Sequence, residues 1–379
     1  MKHLKVALVA GGTAGHINPA LALADTLTPH GHEVVFYGQK DKLEGELVPA
    51  HGYTFIPIVA RPFVRSRPWT LLPALFDIKR SQAQLEARFR KQPPDVCVGF
   101  GAYIELPVLM AAHQCAIPYI IHEQNSVVGL ANTVMAKKAA AIAVAFPAAR
   151  KYFANKLGMS GTERPETQKP QLAVTGNPVG FSREKLDVKA ARKRFGLTAK
   201  SKVVLVFGGS LGAASINDAL ISMKDKLLID PNVHVIHVSG ERDYERVRTQ
   251  LELSTQDAKR YHLYPYLNPL NDALAVANVV VCRAGAASIA EISEAQIPAI
   301  LIPYPHATGR HQDINAQSLS EQGSAYVLDD AMLKCNALQD MLLALLKDTS
   351  QQQRMRQAYK KAGTISAAEL LASLVEQIG

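Results

Sequence analysis

Short apolar runs and longer amphipathic segments alternate along most of this chain. Leu4 to Ala10, Glu33 to Tyr37, Phe55 to Val59, Val96 to Gly99, Tyr119 to His122 and Ala141 to Phe146 each end in Gly, Pro or polar residues, with helical patterns between them. The alternation resumes with Val203 to Phe207, Val233 to Val238, His262 to Tyr264, Val279 to Cys282, Ala299 to Pro303 and Ala325 to Leu328. Runs of this length read as buried strands, and strands alternating with helices predict parallel sheets covered on both faces. The expected fold class is α/β, with two doubly wound, Rossmann-like parallel-sheet domains. Between about Arg150 and Pro178 the pattern weakens into a polar, Gly- and Pro-rich stretch, read as an exposed loop and linker. The expected division is a first domain over residues 1–178, a second over 179–354, and a helical tail over 355–379 that returns to the first. Ligands of such sheets gather at the carboxyl ends of the strands, so the expected site is a cleft faced by loops of both domains.

The loop after the first run, Gly11-Gly12-Thr13-Ala14-Gly15-His16, recurs as Gly208-Gly209-Ser210-Leu211-Gly212 in the same strand-to-helix context. Glycines let successive amides converge on an anion, and a following helix adds the positive end of its dipole. Both loops are therefore read as phosphate cradles. The second also fits the Gly-x-Ser-x-Gly nucleophile elbow, with His306 or His311 as a base, but Thr13 at the equivalent place and the lack of an oxyanion loop disfavour a hydrolase. Neither loop reads Gly-x-Gly-x-x-Gly and no Walker A loop occurs, which disfavours dinucleotide and P-loop enzymes.

A third anion site is expected where Cys282-Arg283-Ala284-Gly285 leads into Ala286, Ala287, Ser288, Ile289, Ala290 and Glu291. Ser288 and Glu291 fit a capping box, in which both side chains only satisfy helix amides. In the functional alternative, Glu291 accepts hydrogen bonds from the vicinal hydroxyls of a ribose while the helix end holds phosphates. His16 is a surface or capping residue or, among glycine amides that disfavour its protonation, a base working near neutral pH. Glu123 and Asn125 end a strand, where they cap a loop or orient a sugar. His306, Arg310, His311 and Gln312 follow another strand. Two histidines there make no metal site, and no Asp-x-Asp occurs, so neither metal nor cofactor is expected.

With 379 residues, 48% of them hydrophobic and 20% charged, the chain has ample material for two cores, and its apolar runs are too short to span a bilayer. Without a signal-peptide pattern at its amino terminus, the chain is expected in the cytoplasm, and the scattered Cys97, Cys115, Cys282 and Cys335 fit reduced thiols. Net charge is +9, and residues 61–91 carry eight Lys or Arg against two acidic residues. There Arg65, Arg67, Lys79 and Arg80 surround Trp69, Leu71, Leu72, Leu75 and Phe76, as an anionic membrane surface requires and as an amphipathic helix with an apolar core side would also show. No nucleic-acid motif accompanies the charge, and no nucleic-acid partner is expected.

Six motifs in register resemble one family, the bacterial GT-B transferases of the MurG type: residues 11–20, 98–103, 122–125, 176–179, 208–213 and 282–285. The resemblance implies metal-independent, inverting transfer of N-acetylglucosamine from UDP-N-acetylglucosamine to the muramyl 4-hydroxyl of lipid I, forming lipid II for peptidoglycan. It implies that Thr13, Ala14, Gly15, Asn125, Ser210, Leu267, Ala286 to Glu291 and Gln312 surround the donor, with Glu291 on the ribose and a backbone contact from Leu267 to uracil. His16 becomes the candidate base with Glu123 as a second catalytic residue, and Tyr103, His122, Glu123 and Asn125 join His16 on the acceptor side. The stretch from Arg65 to Arg80, with Lys137 and Lys138, becomes a membrane-docking patch. The implied partners are the donor, lipid I, the cytoplasmic face of the cell membrane, held peripherally, and cell-wall and division proteins. Two departures stand out: Ala14 replaces a glycine, and Gly180 stands where many members carry a diphosphate-contacting arginine, for which Arg183 is the candidate substitute. The alternatives are another GT-B UDP-sugar transferase, a UDP-N-acetylglucosamine 2-epimerase, and a non-catalytic nucleotide-sugar-binding scaffold.

Overall fold

The computed structural model describes residues 2–61, 68–159, 170–209, 212–362 and 365–379. Two compact units result, Met1–Gly180 with Ile365–Gly379, and Phe181–Thr364.

In the first unit, β1 (Lys5–Val9), β2 (Glu33–Gly38), β3 (Thr54–Pro57), β4 (Val96–Gly99), β5 (Tyr119–Glu123), β6 (Ala141–Val144) and β7 (Gln171–Val174) form a parallel sheet in the order β3-β2-β1-β4-β5-β6-β7. The connecting helices are α1 (Ala14–Leu27), α2 (Leu43–Ala50), α3 (Leu71–Lys91), α4 (Glu105–Gln114), α5 (Leu130–Met135) and α6 (Pro147–Lys156). Alternate residues of β1 enter different cores. Val6 and Leu8 meet Leu23 and Leu27 of α1, whereas Ala7 and Val9 share a cluster with Phe89 of α3 and Leu109 of α4. Burial on both faces is why these strands read as continuous apolar runs rather than alternating ones.

The second unit repeats the plan. Its strands β8 (Lys202–Phe207), β9 (Val233–Val238), β10 (Tyr261–Tyr264), β11 (Val279–Cys282), β12 (Ala299–Leu301) and β13 (Ala325–Val327) run parallel in the order β10-β9-β8-β11-β12-β13. Its helices are α7 (Val188–Arg194), α8 (Ala214–Leu228), α9 (Tyr244–Leu251), α10 (Asn271–Val276), α11 (Ala286–Ala295), α12 (His311–Gln322), α13 (Ala337–Lys347) and α14 (Thr349–Ala362). The strand order reverses between β1 and β4 in one sheet and between β8 and β11 in the other. At each reversal the loops leaving two neighbouring strands diverge and leave a crevice for ligand.

The expected linker over 150–178 is more ordered at both ends than its composition suggested. Helix α6 continues to Lys156, and β7 pairs with β6 through Ile142 and Leu172. As a half-exposed edge strand of four residues, β7 gives almost no hydrophobic signal. The tail is two helices. Met355 of α14 lies in the core of the second unit, while α15 (Ala367–Ile378) belongs to the first, burying Leu371 and Val375 beside α1. Among the described residues no helix is long and apolar enough to cross a membrane.

Candidate active site

In the first unit the glycine loop after β1 is held from behind by a residue that local sequence does not single out. Glu44, buried on α2, accepts from the Gly12 N–H at 3.3 Å and from the Gln39 N–H at 3.1 Å. A Cβ on Gly11 would collide with its carboxylate, so the glycine makes room for it. A carboxylate of the chain itself therefore takes one of the amides expected to cradle a ligand. The N–H groups of Ala14 and Gly15, in the first turn of α1, remain available. Thr13 is the N-cap residue in extended conformation, and its carbonyl accepts from His16 and Ile17.

His16 is half-buried, with its Nδ1 3.0 Å from the Thr13 hydroxyl. Burial lowers its pKa, keeping the imidazole neutral near physiological pH. Desolvation, rather than the field of glycine amides, is the cause. The ring lies against the loop after β4: a Cβ on Gly101 would stand 3.4 Å from His16 Cδ2 and 3.5 Å from Nε2. Gly101 has φ +82°, and Ala102 follows at φ +64°. Glu105, at the start of α4, fixes this turn by accepting the Gly101 N–H at 2.6 Å. Burial pushes its pKa up to about 8, with Glu123 adding to the shift and the Gly101 amide opposing it. Tyr103 donates to Gln39 Oε1 at 2.5 Å, tying the same loop to the end of β2.

At the end of β5, His122 is fully buried, with Nε2 2.9 Å from the Gly176 carbonyl and Nδ1 3.2 Å from Gln124 Nε2. A carbonyl on one side and an amide NH2 on the other define the neutral tautomer protonated at Nε2. Burial brings its pKa down to about 4. Glu123 accepts from the Asn125 N–H at 3.0 Å and, through its other oxygen, from the Gly129 N–H and Asn132 Nδ2, each at 2.9 Å. Its carboxylate organises residues 125–132, and burial raises its pKa against those hydrogen bonds.

In the second unit, the loop after β8 needs its glycines. A Cβ on Gly208 would strike Ala213 and one on Gly212 the Ser239 carbonyl, while Gly209 has φ +87°. Ser210 lies outside the described residues. Beside this loop, α11 begins at Gly285 with no side-chain cap. Ser288 is inside the helix rather than at its N-cap, so Ser288 and Glu291 form no capping box. The N–H groups of Ala286, Ala287 and Ser288 point out of the first turn without helical partners, as the first amides of any helix do. Ile289, by contrast, bonds back to Gly285, and Ala290 lies in the following turn. Glu291, one turn in, makes no hydrogen bond or ion pair among the described residues, and burial pushes its pKa up to about 7.

Arg283 braces this helix start, a task the sequence did not reveal. It pairs with Asp330 at 2.6 Å, donates to the Ser215 hydroxyl at 2.9 Å, and reaches the Ile302 and Pro303 carbonyls at 3.2 Å. Gln312 accepts from the Tyr304 N–H at 2.9 Å, which leaves its NH2 as donor. Leu267 is buried in the loop after β10. Arg183 does not fill the place of an arginine at Gly180. It donates to Gln296 at the C-terminal end of α11, about 15 Å of helix away from the open amides.

Helix α3 buries Ala74, Ile78, Leu85 and Phe89. Its opposite face leaves Leu72 76% and Phe76 67% exposed, with Trp69 71% exposed just before it, and Lys79 and Arg80 continue that face. The apolar residues of this stretch are thus not a core side. Arg65 and Arg67 lie outside the described residues. Leu130 and Val134 of α5 are also exposed, close in sequence to the exposed Lys137 and Lys138.

Known families match both units. The Glycosyltransferase family 28 N-terminal domain matches residues 6–144, and the Glycosyltransferase family 28 C-terminal domain matches residues 203–371. Together with the two parallel Rossmann-like sheets, they define a hexosyltransferase of GT-B fold. A protein of Halothermothrix orenii is 37% identical over 98% of both chains, and one of Salinibacter ruber is 36% identical over 97% of this chain and 95% of its own. Both are described as UDP-N-acetylglucosamine--N-acetylmuramyl-(pentapeptide) pyrophosphoryl-undecaprenol N-acetylglucosamine transferase. The crystal structure of Acinetobacter baumannii MurG covers 99% of each chain with a TM-score of 0.72 at 22% identity, a likeness of fold. The chain belongs to glycosyltransferase family 28 and, within it, to the MurG family.

Proposed function

We propose that this protein transfers N-acetylglucosamine from UDP-N-acetylglucosamine to the muramyl 4-hydroxyl of undecaprenyl-diphosphate-linked MurNAc-pentapeptide, lipid I, with inversion at the anomeric carbon. The observation that carries this reading is the start of α11, which has no side-chain cap, and Glu291 one turn in, which has no partner among the described residues. Outward amides suit a diphosphate, and a carboxylate at that spacing suits the two ribose hydroxyls. Family membership supplies the identity of the sugar and the acceptor.

The acceptor oxygen attacks C1 of the sugar, a new C–O bond forms, and the C1–O bond to the β-phosphate breaks. His16, neutral through burial, takes the hydroxyl proton, and UDP departs as the diphosphate anion. Amides at Ala286, Ala287 and Ser288, and those near Ser210, stabilise the charge that develops on the leaving group. Glu123 positions Asn125 through its N–H, Gln312 offers its NH2 to the donor, and Leu267 lies at the base. His122 and Tyr103 fix the acceptor-side loops. The exposed Trp69, Leu72 and Phe76, flanked by Lys79 and Arg80, fit a peripheral hold on the anionic leaflet where a lipid-linked acceptor resides. Equilibrium binding tests the donor half: UDP should bind the full chain, and Glu291→Ala should weaken it at least tenfold, whereas unchanged binding contradicts the assignment.

A further inference from the structure

The second unit holds a cavity of about 120 Å³ at the C-terminal end of α11, away from the amides assigned to the donor. Leu186, Leu274 and Ile297 wall it, and Arg183, Arg356 and Gln296 line it. Arg356 projects from α14, and among the described residues its buried Nε–H has no hydrogen-bond partner. Burial, and then the like charge of Arg183, pull its pKa down. Arg183 donates through its side chain to Gln296, and its backbone N–H goes to Glu294 Oε1 at 3.2 Å. Glu294 thus meets the main chain of residue 183, and burial raises its own pKa, with the neighbouring Glu184 adding to that shift.

The partly buried Arg356 guanidinium, with an unpaired donor and the like charge of the exposed Arg183 beside it, is costly unless an anion joins the two. Their planar N–H forks match the oxygen spacing of phosphate and sulfate. That volume leaves room for one tetrahedral oxyanion. We propose that Arg183 and Arg356 form a binding site for a single small oxyanion of the phosphate type, separate from the helix end assigned to the donor. Gln296 follows the last turn of α11, whereas the donor amides lie at its first. The bound anion would join the segment by which the chain enters this unit, near Phe181, to the helix by which it leaves.

The test uses the full chain with UDP saturating, so that phosphate cannot report on the donor helix. Calorimetric titration with inorganic phosphate, against chloride at matched ionic strength, should show one site and a rise in Tm that grows with phosphate. Arg356→Met and Arg183→Met should each weaken phosphate binding at least tenfold. Arg183 is exposed, so its variant stays informative even if the change at Arg356 disturbs α14. Absence of phosphate binding beyond the chloride control, or phosphate affinity unchanged in both variants, overturns the proposal.

Discussion

His16 rests against Gly101: the position a Cβ would take on Gly101 is 3.4 Å from His16 Cδ2 and 3.5 Å from Nε2. Gly101 also adopts φ +82°, where a side chain is strained by about 1–2 kcal/mol. A Cβ alone would only touch the ring, so Gly101→Ala should lower stability by about 1–2 kcal/mol, whereas Gly101→Val, whose methyl groups extend beyond that contact, should also displace the imidazole, with kcat falling by about 10²-fold, the cost of a misplaced catalytic group. KM for the donor should move little. Chemical denaturation and steady-state kinetics separate the two effects, and a kcat for Gly101→Val within threefold of wild type would detach His16 from the chemistry.

Burial pushes the Glu291 pKa up to about 7, so a fraction of the free protein carries a neutral carboxyl there at neutral pH. The charged form is the better acceptor for ribose hydroxyls. Donor affinity should therefore weaken as pH drops below about 7 and level off above it. Glu291→Gln should abolish that dependence and raise KM for UDP-N-acetylglucosamine by about tenfold, as loss of a hydrogen bond to a charged group implies. Donor KM measured from pH 5.5 to 8.5 on both proteins decides the point.

Trp69 is the sole tryptophan and stands 71% exposed beside Leu72 and Phe76. Its fluorescence should shift to the blue when anionic phospholipid vesicles are added, and less so with zwitterionic vesicles or high salt. Leu72→Asp with Phe76→Asp should abolish the shift and reduce vesicle sedimentation at least tenfold while leaving turnover of a short-chain, water-soluble acceptor intact. An emission maximum unmoved by anionic vesicles would count against membrane docking at this face.

The carboxyl-terminal helix is fastened by Glu376, which lies 2.8 Å from His30 Nδ1 and 3.1 Å from His32 Nε2. Burial favours the neutral acid, but the two histidines outweigh it and hold the Glu376 pKa below its ordinary value of 4.5. A lowered folded-state pKa contributes stability above pH 4.5 that is lost as pH falls through the folded value. Glu376→Gln should cost about 1 kcal/mol at pH 7, and the gap from wild type should close in acid. Urea unfolding at pH 7 and pH 3.5 measures both.

The strands were legible because burial on both sheet faces writes them as uninterrupted apolar runs; β4, β9 and β11 begin and end where the pattern places them. The edge strand β7 was not, since Gln171-Leu172-Ala173-Val174 is half-exposed and too short to carry a period. Of the site, the glycine turns, His16 and the α11 start were visible as motifs. Glu44 and Glu105 were not. An acidic residue early in a helix reads as a solvated charge, and only the fold reveals that Gly11 and Gly38 leave the space that Glu44 fills and Gly99 the space that Glu105 fills. Arg283 was likewise seen as part of an anion motif, whereas it braces Asp330, Ser215 and two carbonyls.

The transfer reaction itself tests the central claim most directly. Labelled N-acetylglucosamine should pass from its UDP donor to a short-chain lipid I analogue, with EDTA present, no product from UDP-galactose, and no free sugar released when the acceptor is omitted. His16→Ala should bind UDP normally and lose about 10²–10⁴-fold in kcat, the usual contribution of a general base. Free sugar formed without acceptor, or UDP binding with no transfer to lipid I, would contradict the account.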